Sequence, residues 1–161
     1  MSQTLIDIKL ANQMKISSIS ELEKKAKRMI KILSPGDSIL LYGEIGVGKT
    51  TFARSLINNS EKKKKLKKSE VLSPTFNISF EYDLKNFIIK HFDLYRLKNE
   101  KDVRNIGLFE DLEKSIFLIE WPELIKEKPI NRIDMFFKYS RGENERILET
   151  KTFGRLKNYE F

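Results

Sequence analysis

The sequence predicts a three-layer α/β domain in which helices flank a mixed, mostly parallel central sheet. Short apolar runs of strand length alternate along the chain with stretches whose apolar residues recur at helical spacing. Two of the strand-like runs lie close enough together to form a hairpin, which makes the sheet mixed. A chain of 161 residues, 40% of them hydrophobic, is long enough for one such domain and its core. We therefore expect a single domain over residues 1–161.

The first part of the chain predicts a helix, a strand, a glycine-rich turn and a second helix. Ser20 and Glu23 have the spacing of a capping box, and apolar residues follow at helical spacing until Pro35–Gly36 ends the helix. The apolar run at 38–42 is typical of a buried strand. Residues 50–58, after the turn, predict the second helix.

The second part of the chain predicts a hairpin, a helix and three more strands. The segments with the pattern of strands are 76–82, 87–95, 115–120, 132–139 and 146–152. The turn residues at 83–86 join the first two into a hairpin, and those at 141–144 separate the last two. Residues 99–114 are prone to form a helix, and the most apolar segment, 115–120, is expected at the centre of the sheet.

The composition excludes several classes of protein. The chain has no cysteine, which rules out disulfides, thiolate metal sites and a thiol nucleophile. Its first 15 residues lack the apolar segment of a signal peptide, and no run reaches the ~18 apolar residues that span a membrane. We expect a cytoplasmic protein without a membrane partner.

The net charge of +8 is concentrated in one segment. Residues 61–68 hold six lysines and one glutamate, and the rest of the chain is nearly balanced. We interpret this segment as a lysine-rich surface loop, with contact to RNA or to an acidic partner as the alternative. Residues from about 152 to 161 are expected to form a C-terminal tail.

The glycine-rich turn fits the phosphate-binding pattern G-x-x-x-x-G-K-[ST] without a mismatch. Its residues are Gly43, Glu44, Ile45, Gly46, Val47, Gly48, Lys49 and Thr50. The backbone N–H groups of such a loop converge on phosphate oxygens, the lysine reaches the β and γ phosphates, and the hydroxyl of Thr50 suits Mg²⁺. Thr51 is expected just behind these contacts. The motif predicts a P-loop NTPase-like domain that binds ATP with Mg²⁺.

Two acidic residues stand at the ends of predicted strands, where a P-loop protein needs carboxylates. Asp93 and Glu120 each follow an apolar run, so each is expected to face the phosphates and the metal. Trp121 either fills the core or lies near the nucleotide. The tripeptide 73–75 is either an ordinary turn or a segment that senses the γ-phosphate. His91, the sole histidine, is interpreted as structural and given no chemical role.

Several longer motifs occur in a fixed order along the chain. They are GEIGVGKTTFARSL at 43–56, SPTF at 73–76, HFDLYRL at 91–97, IGLFEDL at 106–112 and IEWPE at 119–123. In this order they resemble the bacterial family of tRNA threonylcarbamoyladenosine biosynthesis ATPases called TsaE or YjeE. The resemblance covers roughly residues 15–150. Three stretches depart from the family pattern: the lysine-rich insertion, residues 107–110 and the last ten residues.

The resemblance implies a weak P-loop ATPase that drives or resets the TsaD–TsaB complex while threonylcarbamoyladenosine is made in tRNA. It implies that Thr50 and Glu120 bind Mg²⁺, that residues 46–50 bind the phosphates, and that Asp93 lies close to the γ-phosphate. Trp121 would then lie near the site, and Arg146, with residues 17–20, near the adenine. Lys49, Asp93 and Glu120 are the expected catalytic residues.

Two other classes of function stay open at this point. One is a small-molecule kinase on the same fold, although no second pocket or arginine-bearing lid is evident. The other is a nucleotide-gated RNA-binding module, although the lysine-rich segment lacks the interleaved aromatic residues that such modules use. In the family scheme the contact with tRNA is indirect, supplemented at most by a weak contact through residues 61–68.

Overall fold

The computed structural model describes residues 12–141 and 144–161, which form one sheet with helices on both faces. The strands are β1 (Asn12–Ile16), β2 (Ser38–Tyr42), β3 (Ser79–Asp83), β4 (Ile88–Asp93), β5 (Ser115–Glu120), β6 (Arg132–Tyr139) and β7 (Arg146–Phe153). The helices are α1 (Ile19–Ile30), α2 (Lys49–Lys63) and α3 (Glu100–Asn105). Short 3₁₀ turns lie at Leu112–Lys114, Pro122–Leu124 and Gly154–Leu156.

The sheet is parallel at its centre and antiparallel at its edges. Its strand order is β1-β7-β6-β2-β5-β4-β3, and β6, β2, β5 and β4 run parallel to one another. The edge strands β1 and β3, together with β7 next to β1, pair antiparallel to their neighbours. The predicted three-layer α/β fold with a mixed sheet is confirmed.

Alternate residues of the central strands enter two separate cores. Ile39 and Leu41 of β2 pack with α1 and α2, whereas Leu40 packs with α3 on the opposite face. Successive strand residues point to opposite faces, so every residue is buried in a strand that is covered on both faces. This explains why all six residues of β5, from Ser115 to Glu120, are buried. No helix in the described part of the chain is long and apolar enough to cross a membrane.

The central strands match the predicted segments, and the edge strands match them less well. The predicted bounds of β2, β5 and β6 are those observed, and β7 is one residue longer. The predicted hairpin is present as β3 and β4, with both strands shorter than expected. The strand β1 was not predicted, and its residues pair with β7 in register from Asn12 to Ile16. The predicted turn at 141–144 includes residues 142 and 143, which lie outside the described residues.

The start of α1 corrects the predicted capping box. The N-cap is Ser18, two residues before the predicted Ser20, and its side chain accepts a hydrogen bond from the N–H of Glu21. The carboxylate of Glu21 in turn accepts from the N–H of Ser17 at 2.6 Å. The cap is therefore displaced by two residues toward the N-terminus, and its carboxylate binds the N–H of the residue before the N-cap instead of the N–H of the N-cap itself.

The helix α2 extends into the predicted lysine-rich loop and corrects its description. The helix ends at Lys63, five residues beyond the predicted end, so residues 61–63 are helical. Glu61 is buried, and its carboxylate accepts from the N–H of Ser69 at 2.9 Å and from its hydroxyl at 2.5 Å. Leu66 packs against the core. These contacts fold the lysine segment, defined as residues 61–69, into a compact end of the helix with its lysines outside.

Two further expectations differ from the structure. The helix predicted at 99–114 is formed only as α3, and turns follow from residue 106 onward, where Gly107 has a φ of +61°. The predicted C-terminal tail packs against the body of the protein. Leu156 is fully buried, and the guanidinium of Arg155 forms an ion pair with the buried carboxylate of Asp37.

Candidate nucleotide-binding site

The loop between β2 and α2 has the strand–turn–helix arrangement that the phosphate-binding motif requires. Gly43 follows β2 with a φ of +140°, and a Cβ there would lie 2.5 Å from the carbonyl oxygen of Phe137. Gly48 is the N-cap of α2 with a φ of +122°. A side chain at either position would be strained, so both glycines are needed for the curl of the loop. The curl exposes the positive N-terminal end of α2.

Lys49, the first residue of α2, is held by its own loop. Its ammonium donates to the carbonyl oxygens of Gly43 at 2.6 Å and Glu44 at 2.9 Å, and it lies 3.9 Å from the centre of the Trp121 ring. Burial lowers the pKa of Lys49, and the carboxylates of Glu120 and Asp93 partly oppose this shift. The ammonium group thus lies in a largely buried place, where its interaction with an anion is stronger than in water.

Glu120 and Asp93 lie side by side at the ends of two parallel strands. The register of β4 and β5 pairs Asp93 with Glu120, and both are almost fully buried. The hydroxyl of Thr50 lies 3.0 Å from Oε1 and 2.9 Å from Oε2 of Glu120. The expectation that strand ends bring these carboxylates to the phosphate loop therefore agrees with the geometry.

The segment 73–75 is joined to Asp93 by its two hydroxyl groups. Thr75 donates to Oδ2 of Asp93 at 2.6 Å, and Ser73 donates to the same oxygen at 3.2 Å. The other oxygen, Oδ1, accepts from the N–H of Tyr95 at 2.9 Å. Both oxygens of Asp93 thus accept hydrogen bonds, and the two hydroxyl groups hold the segment against the site.

His91 also belongs to this site, although the sequence interpretation gave it no chemical role. It is fully buried on β4, and its Nε2 lies 2.8 Å from Oε1 of Glu120. The period of two in a strand places His91 on the same face as Asp93, two residues further on. That spacing alone does not reveal the contact with Glu120, which depends on the pairing of β4 with β5.

A cavity of about 320 Å³ opens between the phosphate loop and the two carboxylates. The predicted site residues in its lining are Ile45, Gly46, Gly48, Lys49, Thr50, Thr51, Asp93, Glu120 and Trp121. Trp121 has a φ of +58°, and its ring centre lies 4.8 Å from that of Tyr95. Trp121 therefore lies beside Lys49 in the lining of the cavity.

Four predicted site residues are not in this lining. Gly43 and Glu44 contribute the carbonyl oxygens that hold Lys49. Val47 is buried in the core. Arg146 lies at the start of β7 with its guanidinium 4.5 Å from the centre of the Tyr139 ring. The Tyr139 hydroxyl donates to the carbonyl oxygen of Ile45 at 2.8 Å, so among the described residues Tyr139 connects Arg146 with the loop.

Comparison with known sequences identifies the family. The sequence profile described as "Threonylcarbamoyl adenosine biosynthesis protein TsaE" matches residues 16–148. The chain belongs to the TsaE family. Two Rickettsia proteins named tRNA threonylcarbamoyladenosine biosynthesis protein TsaE, from Rickettsia felis and Rickettsia conorii, are 40% identical over 111 residues. The match covers 69% of this chain but only 63% and 61% of theirs, which is less than two thirds of their length.

Other TsaE-family relatives match over nearly the whole chain. A Bacillus subtilis protein of the same name is 32% identical over 147 residues, covering 88% of this chain and 87% of its own. The crystal structure of YdiB from Bacillus subtilis superposes with a TM-score of 0.69 at 27% identity, over 92% of this chain and 90% of that one. The fold of this TsaE-family protein therefore has an experimental counterpart.

Proposed function

We propose that this TsaE-family protein binds ATP with Mg²⁺ and hydrolyses it to ADP and phosphate during the formation of threonylcarbamoyladenosine in tRNA. The observation that carries the proposal is the contact of Thr50 with both oxygens of Glu120 at the end of a complete phosphate loop. A loop of this kind binds nucleotide phosphates, and the adjoining hydroxyl and carboxylate suit the metal that accompanies them. The tRNA pathway follows from the family description.

The proposed residue roles follow from the contacts of the site. The N–H groups of residues 46–50 bind the phosphates, and Lys49 exchanges its contacts with the loop carbonyls for contacts with the β and γ phosphates. Asp93 faces the end of the phosphate chain and orients the attacking water with the oxygens that Thr75 and Tyr95 hold in place. Arg146 and residues 17–20 are assigned to the adenine by resemblance to the family.

The donor set around Thr50 fits Mg²⁺ better than a metal held by the protein alone. The described residues contain no group of three or more histidine, cysteine, aspartate or glutamate side chains that could hold a metal ion. Magnesium keeps several waters and binds through one or two protein oxygens together with substrate phosphates. When bound, Mg²⁺ would neutralise part of the charge that develops on the phosphates during phosphoryl transfer. Thr50 and Glu120 are the residues proposed to hold it.

The proposed partners are the TsaD and TsaB proteins, on which the activity would depend. None of the described arginines lines the cavity, so a partner residue that completes the site would raise the rate of hydrolysis strongly. The proposal places the protein in the cytoplasm, where tRNA is modified. The lysine segment adds at most a weak contact with the tRNA itself.

The test is phosphate release from Mg²⁺-ATP by the chain alone and with TsaD and TsaB, for the wild type and Glu120→Ala. We expect slow release alone, a clear increase with the partners, and a loss of about 100-fold in the variant, as is typical when a transition-state stabiliser is removed. The matched control is Glu113→Ala, an exposed carboxylate near the opposite end of β5. If the rate of turnover does not change when the partners are added, and turnover requires a metabolite as phosphate acceptor, the protein is a kinase instead.

A further inference from the structure

His91 is a buried polar group to which the proposed function assigns no role. Its side chain has no exposed surface, and its Nε2 lies 2.8 Å from Oε1 of Glu120. The other ring nitrogen, Nδ1, is buried and has no hydrogen-bond partner among the described residues. A ring that only filled space would need neither nitrogen, so the contact with Glu120 is the feature that calls for an explanation.

The direction of this hydrogen bond follows from the chemistry of the two groups. An ionised carboxylate can only accept, so Nε2 must carry the hydrogen and donate it to Oε1 of Glu120. This holds for the neutral ring and for the charged ring. In the neutral ring the proton on Nε2 also leaves Nδ1 as a bare acceptor, which avoids burying a second N–H without a partner.

The consequence of the hydrogen bond is that Glu120 is held from two sides. His91 donates to Oε1 from β4, and Thr50 contacts both oxygens from the first turn of α2. Glutamate is a long side chain with several rotatable bonds, and its freedom must be lost before it can serve as a ligand. Partners of this kind orient metal-binding side chains and are needed for full metal affinity.

We propose that His91 is a positioning residue, which donates from Nε2 to Glu120 and so fixes that carboxylate for the divalent cation that accompanies the nucleotide. The inference rests on the proposed function because it assumes that Glu120 serves the metal. It assigns His91 no contact with the nucleotide and no proton transfer. His91 would set the affinity for the cation and leave the affinity for the metal-free nucleotide unchanged.

The experiment compares two variants of similar side-chain volume. His91→Leu removes the donor, and His91→Gln returns an amide donor near the place of Nε2. The probes are Mn²⁺, followed by electron paramagnetic resonance in the presence of the imido analogue of ATP, and the same analogue in EDTA, followed by the fluorescence of Trp121, the sole tryptophan. We expect His91→Leu to weaken Mn²⁺ binding by about tenfold and His91→Gln to restore most of it. Binding in EDTA should be the same for all three proteins.

In the single variants, two outcomes would overturn the inference. One is equal loss in both variants, which indicates a packing role, and the other is a loss in EDTA as large as the loss with Mn²⁺. In a Glu120→Gln background the change His91→Leu should have no further effect on Mn²⁺ binding, and an unchanged effect there would also contradict the inference. If the wild type binds neither the analogue nor Mn²⁺, the proposed function itself fails, which is a distinguishable result.

A second measurement needs no variant, because the chain has a single histidine. The ¹⁵N signals of one imidazole can be assigned without ambiguity in the labelled wild-type protein. We expect Nε2 to carry a proton that exchanges slowly with water, and its signal to move when Mg²⁺ is added to the protein with the ATP analogue. A bare Nε2, or a signal that ignores Mg²⁺, would refute the role of His91 even if the variants fail to fold.

Discussion

Among the three glycines of the phosphate loop, Gly43 has the least space for a Cβ. A Cβ at this position would lie 2.5 Å from the carbonyl oxygen of Phe137 and 3.0 Å from the side chain of Val47, and the φ is +140°. We expect Gly43→Ala to lower the free energy of unfolding by about 3 kcal/mol, because backbone strain adds to a clash that no flexible side chain can relieve. Urea unfolding measures this loss, and binding of the ATP analogue should weaken with it.

Gly36→Ala is the matched control for that prediction. Gly36 also has a positive φ, +95°, but a Cβ there meets no atom of the described residues within 4 Å. Its substitution carries only the conformational penalty, about 1 kcal/mol. If the two alanine variants lose the same stability, the close approach of Phe137 to the loop has no energetic weight and the prediction is wrong.

At this scale the sequence predicted the residues whose position follows from a strand end. Lys49, Thr50, Asp93 and Glu120 meet because a motif and two apolar runs put them at one edge of the sheet. His91 was missed, because one histidine inside a strand has the same pattern whether it contacts a carboxylate or packs among apolar groups. Only the pairing of β4 with β5 decides between these, and single-sequence patterns do not give strand order.

The C-terminal residues are held to the body of the protein by an ion pair between the buried Asp37 and the partly exposed Arg155. Asp37 has no exposed surface, and its carboxylate accepts from Nε of Arg155 at 2.9 Å and from the N–H of Ser34 at 2.8 Å. Arg155→Ala leaves that carboxylate buried and without its charged partner. We expect a loss of about 1 to 2 kcal/mol in the free energy of unfolding, because a buried carboxylate loses its charged hydrogen-bond donor but keeps the N–H of Ser34.

Urea unfolding of Arg155→Ala against Lys157→Ala provides the check, since Lys157 is exposed in the same segment. The control should unfold like the wild type. Adding Asp37→Asn to Arg155→Ala should recover part of the loss, because the uncompensated charge is then removed. If Arg155→Ala and Lys157→Ala have the same free energy of unfolding, the ion pair does not hold the C-terminal residues in place.

At the scale of elements, the sequence predicts what local pattern determines and misses what tertiary pairing determines. The strands β2, β5 and β6 were placed correctly, since each has a buried apolar run. The strand β1 has the mixed sequence NQMKI and exists through its pairing with β7. The lysine segment was placed in a loop because its composition is that of a solvated surface, yet Glu61 and Leu66 fold it onto the end of α2.

In the whole molecule, the phosphate loop and the lysine segment form two separate surfaces at opposite ends of α2. The phosphate loop lies at the start of α2, and the lysine segment lies at its far end, about 22 Å away for a helix of 15 residues. Lys62, Lys63, Lys65, Lys67 and Lys68 are exposed there. A cluster of exposed lysines on a folded base attracts the RNA backbone without reading sequence. Any contact with tRNA should therefore be independent of the nucleotide site.

We expect the chain alone to bind tRNA weakly, and the variant Lys63/Lys67/Lys68→Gln to bind it more weakly still. The slope of log K against log salt should fall in magnitude by about 2 to 3, because binding releases about one counterion fewer for each lysine removed. The control is Lys24/Lys27/Lys31→Gln, which removes the same charge from exposed positions on or next to α1. Filter binding at several salt concentrations measures both. If the two triple variants lose affinity equally, tRNA responds to net charge alone, and the lysine segment is only a solvated surface.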